Sequence, residues 1–225
     1  ALRSMGGSGA RRAPAAAPER ESRDGALRSL MHPAVIATTL MFLTLNIGGG
    51  AKMVWLPILC ERLAQDGARL YGVFLALIAA GQTASALATG ALRIRLDRLG
   101  IAIALFQGLA GASLLLIVLS PRLWIIAASM LLFGVFSAPL TVWAQTLRMQ
   151  ILPERLHGRA FALLRTIMQA GNPLGGMLGG ALFPLIGLAP TVAASALLIG
   201  IPGLIGLALP ALRPFKLAGL DPRSA

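Results

Sequence analysis

The 225-residue chain is 56% hydrophobic and 12% charged, and 20 Lys and Arg against 8 Asp and Glu leave it a net charge of +12. A mean hydropathy of +0.78 lies outside the soluble globular range and points to an integral membrane protein. The basic balance does not mark a nucleic-acid binder, because the basic residues are spread over short connections with no aromatic platform among them.

Residues 1–32 are rich in Ala, Gly, Ser, Pro and Arg, with almost no large apolar residue before Leu27. Such a segment buries no core and is expected to be a disordered cytoplasmic linker, of the kind that joins two membrane bundles. Arg23 and Arg28 precede an apolar run, but that run is too long for a signal peptide and further spans follow it. The first span is expected over residues 34–59, with Lys52 as the ionisable side chain within it and Cys60, the single cysteine, at its outer end. Charge-free runs then predict spans over 70–91, 101–120 and 123–147.

Between Arg165 and Arg213 lie 47 residues without a charge. At about 1.5 Å per residue a helix of that length would be roughly twice the thickness of the hydrocarbon core. The segment is therefore expected to cross twice, over 163–186 and 190–212, turning at Gly187-Leu188-Ala189-Pro190, with a cytoplasmic tail over 213–225. The reading is an all-α protein of six transmembrane helices in a bundle over residues 33–212. A very large soluble helical core is the competing reading, but its helices would carry a charged stripe every turn or so, and these do not.

With both termini cytoplasmic, sixteen Lys and Arg fall inside and three (Arg62, Arg69 and Arg122) outside, apart from Lys52 within its span. This asymmetry sets the orientation in a plasma, or bacterial inner, membrane. Lys52 has two readings. It snorkels to the outer interface, or it lines a cavity, attracting an anionic substrate or pairing with an acid of another bundle.

Polar residues are unequally shared among the spans. The first, second, fourth and fifth hold Asn46, Gln82, Thr141, Gln145, Gln169 and Asn172, which with Lys52 are the candidate substrate-cavity residues. The third offers Gln107 and Ser113, and the sixth Thr191 and Ser195. Four spans are thus expected to line a wet cavity or interface and two to face lipid. Small residues form seams: Ala76, Ala80, Ala84 and Ala88 in the second span, and Gly171, Gly175 and Gly179 in the fifth. Such rows let helix backbones approach closely in lipid.

Two connections carry patterns. Gly90-Ala91-Leu92-Arg93-Ile94-Arg95-Leu96-Asp97-Arg98-Leu99-Gly100 resembles a degenerate copy of the loop signature of the major facilitator superfamily, with Gly90, Asp97 and Arg98 at the informative positions. Gln150-Ile151-Leu152-Pro153-Glu154-Arg155-Leu156-His157-Gly158-Arg159 is similar to the penultimate inner loop of that superfamily's multidrug, macrolide and siderophore exporters; Pro153, Glu154, Gly158 and Arg159 precede Asn172-Pro173-Leu174-Gly175-Gly176 in the expected order.

The resemblance implies that residues 33–212 are the C-terminal half of a twelve-helix fold. It further implies that the first, second, fourth and fifth spans surround the cavity, and that Ala80, Ala84, Gly171, Gly175 and Gly179 pack against an N-terminal half. The implied function is secondary efflux, such as antiport, of small amphipathic molecules by alternating access, each half being an inverted pair of three-helix repeats. The expected partners are the lipid bilayer, the N-terminal six-span half and a small-molecule substrate, with no nucleic acid, cofactor or metal. A six-span scaffold, or a half-size transporter that dimerises with itself, is the alternative. The spans hold no acid, no serine with a partner base and no metal-ligand cluster, and no Gly-rich phosphate loop occurs, so an enzyme is not expected.

Overall fold

A computed structural model describes residues 29–91 and 97–216. The linker expected over residues 1–28, Arg93 and Arg95 of the first loop pattern, and the tail beyond residue 216 lie outside them. The described residues contain helices and turns without a strand.

Helix α1 (Pro33–Leu63) opens with proline at its first position, where no N–H is needed, and the His32 Nδ1 accepts from the Ala34 N–H at 3.2 Å. Helices α2 (Gly67–Ala91), α3 (Leu99–Leu119) and α4 (Leu123–Ile151) follow. After a 3₁₀ turn (Glu154–Leu156) come α5 (His157–Gln169), α6 (Gly171–Ile186) and α7 (Leu188–Ala208). Observed helices outrun the expected spans at 34–59 and 123–147 because a charge ends a hydrophobic run without ending a hydrogen-bonded backbone. Arg62 and Arg148 both sit in last turns. Prolines stop the chain more firmly. Helix α4 ends before Pro153 and α7 before Pro210, where the N–H needed to continue is missing.

Among the described residues five helices, α1 to α4 and α7, are long and apolar enough to cross a membrane. The span expected over 163–186 is divided instead into α5 and α6 at Ala170. Pro173 has no N–H for the Gln169 carbonyl, and its ring crowds that oxygen, so the ladder breaks one turn earlier. The last expected span, 190–212, closes at Ala208 and is followed by a short 3₁₀ turn (Pro210–Leu212).

Helix α1 packs against α6 and α7, α3 against α7 and α4, and α2 against α4. One apolar cluster gathers Trp55, Leu56, Phe74, Leu114, Met130 and Ile199; a second, at the arginine-rich end, gathers Met41, Leu99, Ile103, Leu140, Trp143 and Leu147. The few polar residues of α3 and α7 tie helices together. Gln107 Nε2 donates to the carbonyls of Met41 (2.7 Å) and Ile199 (3.2 Å), joining α3 to α1 and α7. Trp55 Nε1 donates to Ser195 Oγ at 3.1 Å, and Ser129 Oγ to the Ser113 carbonyl at 2.6 Å. With these donors bonded inside, the outward faces are left to Leu105, Leu109 and Val118 of α3 and to Leu197, Ile201 and Leu204 of α7.

Candidate functional site

The site begins with helical periodicity. On α4, Thr141, Gln145 and Arg148 fall at i, i+4 and i+7; on α5, Phe161, Arg165 and Met168 repeat that spacing, with Ala162 and Gln169 alongside. Together with Phe42, Leu45 and Asn46 of α1 these faces enclose a cavity of 570 Å³. Four of the expected cavity residues, Asn46, Thr141, Gln145 and Gln169, therefore share one space. Asn172 joins them through hydrogen bonds, its Nδ2 donating to Gln169 Oε1 at 2.8 Å and Asn46 Oδ1 at 3.2 Å. The kink imposed by Pro173 leaves Gln169 at the end of α5 and Asn172 at the start of α6, both in reach of α1.

Two expected members lie elsewhere. Lys52 is 4% exposed, with its Nζ 4.3 Å from the centre of the Phe133 ring, so it neither lines this cavity nor reaches the surface. Its aliphatic stem and ring contact hold it inside the bundle. Gln82, exposed on α2, donates to Ser137 Oγ at 3.4 Å and also stands apart from the cavity.

Conversely, Arg148 and Arg165 read as inner-side loop charges in the sequence, yet both line the cavity. Arg148 is 4% exposed; its Nε lies 3.3 Å from Thr38 Oγ1, its Nη2 lies 3.3 Å from Met168 Sδ, and its guanidinium carbon is 5.2 Å from the Phe42 ring centre. The i, i+4, i+7 ladder from Thr141 is the sequence signal that would have found Arg148, and the four-residue step from Arg165 to Gln169 is the signal for Arg165. Among the described residues no group of His, Cys, Asp and Glu is arranged to hold a metal.

A family model described as transmembrane secretion effector, within the major facilitator superfamily, matches residues 24–224. The chain belongs to that family. No curated protein and no solved structure matches it. Members of the superfamily are transporters rather than enzymes, and this family member is a multi-pass membrane protein.

The loop residues of this family member sit at helix ends. Gly90 is exposed with open space around it, and Asp97 and Arg98 form the exposed turn before α3. Arg98 also borders a second cavity with Ile101, Leu207, Pro210 and Arg213. Pro153 precedes the 3₁₀ turn that contains Glu154, and His157 Nε2 lies 2.8 Å from the Leu152 carbonyl oxygen. Gly158 and Arg159 are exposed in the first turn of α5.

The expected packing seams require a correction. Gly171, Gly175 and Gly179 do not face outward to a second bundle but lie on α1 of the same chain, with Leu43, Ile47 and Ala51 against them. The helical twist turns the neighbouring Gly176 and Gly180 the other way, into open space. Ala80 and Ala84 are exposed on α2. A further glycine seam went unread in the sequence. Gly111 meets Gly200, and Gly203 meets Gly108, where α3 crosses α7.

Proposed function

We propose that this chain forms the C-terminal six-span half of a secondary transporter, an antiporter that exports small amphipathic molecules by alternating access. In this reading α5 and α6 together make one crossing, both ends of the bundle's chain lie in the cytoplasm, and the membrane is a bacterial inner membrane. The observation that carries it is the 570 Å³ cavity between α1, α4 and α5, apolar along Phe42, Leu45 and Phe161 and polar along Asn46, Thr141, Gln145 and Gln169. Apolar walls with a few convergent polar groups suit a drug-sized amphipath. The exposed α2 face with Ala80 and Ala84 supports a helical partner, the N-terminal half, and equally a second copy of this chain in a self-dimerising transporter or scaffold.

The test loads the neutral dye N-phenyl-1-naphthylamine into cells deficient in endogenous efflux, with and without the complete gene product, and follows its loss on energisation. Faster energised loss with the protein supports export. Identical kinetics at confirmed membrane abundance overturn it, and cysteine crosslinking from Ala84→Cys then asks whether the partner is a second copy.

A further inference from the structure

Arg148 is a buried cation that has no acid as a partner among the described residues. Its contacts are a hydroxyl (Thr38), a thioether (Met168) and a ring face (Phe42), all neutral. None of these replaces the hydration that a guanidinium gives up on burial. The acids among the described residues, Glu61, Asp66, Asp97 and Glu154, lie in the last turn of α1 or in connections, and none is a partner of Arg148. Yet Arg148 borders the cavity, where Arg165 joins it from a different helix. Two guanidiniums on one wall-lined space favour a negative charge there. Each presents a planar fork suited to carboxylate, sulfonate or phosphate oxygens.

We infer that the cavity between α1, α4 and α5 takes an anionic amphipath, with its acidic head on Arg148 and Arg165 and its apolar body against Phe42 and Phe161. This rests on the transport reading for its physiological meaning, and it narrows the substrate from amphipathic molecules at large to those carrying an acid. Arg148 supplies a fixed, desolvated donor, since its burial removes competing water and strengthens its field. Arg165, exposed on α5, supplies the accessible one at which an entering anion first loses its water.

The experiment uses two probes that share the phenylnaphthylamine body and differ by one group: 8-anilinonaphthalene-1-sulfonate and neutral N-phenyl-1-naphthylamine. Binding is followed by fluorescence to the full chain in nanodiscs of zwitterionic lipid, with empty-disc signal subtracted. Arg148→Gln and Arg165→Gln should each weaken sulfonate binding by about 10- to 100-fold and leave the neutral probe within about twofold. Arg148→Lys should restore part of the loss, because it keeps the charge without the fork. Should Arg148→Gln fail to fold, the exposed Arg165 still gives the reading. Equal weakening of both probes, or no change in either, would overturn the inference. Charge-selective binding without energised movement of either the sulfonate or the neutral dye leaves the anion site standing and removes the transport reading, whereas energised movement without charge-selective binding does the reverse.

Discussion

Adding one methyl group at Gly175 and the same group at Gly176 should move stability in opposite directions. A Cβ on Gly175 would overlap the Ile47 carbonyl oxygen and stand 2.7 Å from the Ile47 carbonyl carbon and 2.9 Å from its Cα. Carbon atoms rest at about 3.5–4.0 Å, so α1 and α6 must part by roughly 1 Å, a gap that forfeits about a quarter to a half of each contact's attraction. Overpacking of this kind costs about 1–3 kcal/mol. Alanine returns about 1 kcal/mol through its better helix propensity, leaving a net loss of up to about 2 kcal/mol for Gly175→Ala. A Cβ on Gly176 meets nothing within 4 Å, so there only the propensity gain remains. The propensity gain is common to both variants, so they should differ by the overpacking cost alone, about 1–3 kcal/mol, or roughly 2–12 °C in melting temperature for a chain of this size. Intrinsic tryptophan fluorescence reports the melt in detergent at a fixed scan rate, since Trp55 is fully buried against Ser195. A Gly175→Ala protein that melts at or above Gly176→Ala would refute the packing of α6 on α1.

Three further outcomes are expected. Lys52→Met should fold at normal abundance with unchanged or slightly raised melting temperature, because it trades a buried charge that has no acid beside it among the described residues for an apolar side chain of similar length; dye export should also persist, and abolished export at normal abundance would place Lys52 in the transport path. Pro173→Ala should return an N–H to the Gln169 carbonyl, raise the melting temperature and slow export as Gln169 and Asn172 leave Asn46; an unchanged export rate would dissociate the kink from the cavity. Reporter fusions after Ser120 and Leu188 should lie outside the cell and those after Arg98 and Lys216 inside, as the arginine distribution dictates, and inversion of any one would sink the six-crossing arrangement.

Long charge-free runs determined, without any tertiary information, that the chain is helical and built for a membrane. In lipid a segment must satisfy its own backbone, and the length of an apolar run sets how far it reaches. The placement of Asn46, Thr141, Gln145 and Gln169 around one cavity was likewise legible, since polar groups in such segments need a wet or bonded place. What hydropathy could not show was direction around each helix. Arg148 ends an apolar run and so reads as a loop charge, but the backbone continues past it and turns it inward beside Thr38 and Met168. Lys52 read as either a surface-seeking or a cavity-lining lysine, and only the neighbouring α4 brings Phe133 against its ammonium group. Glycines 171, 175 and 179 announced a close approach without naming the partner, and only the packing of α6 on α1 closed that seam inside the chain. Composition and run length are properties of a segment taken alone, whereas the face a residue presents and what meets it depend on how far each helix is rotated against its neighbours, which only close packing decides.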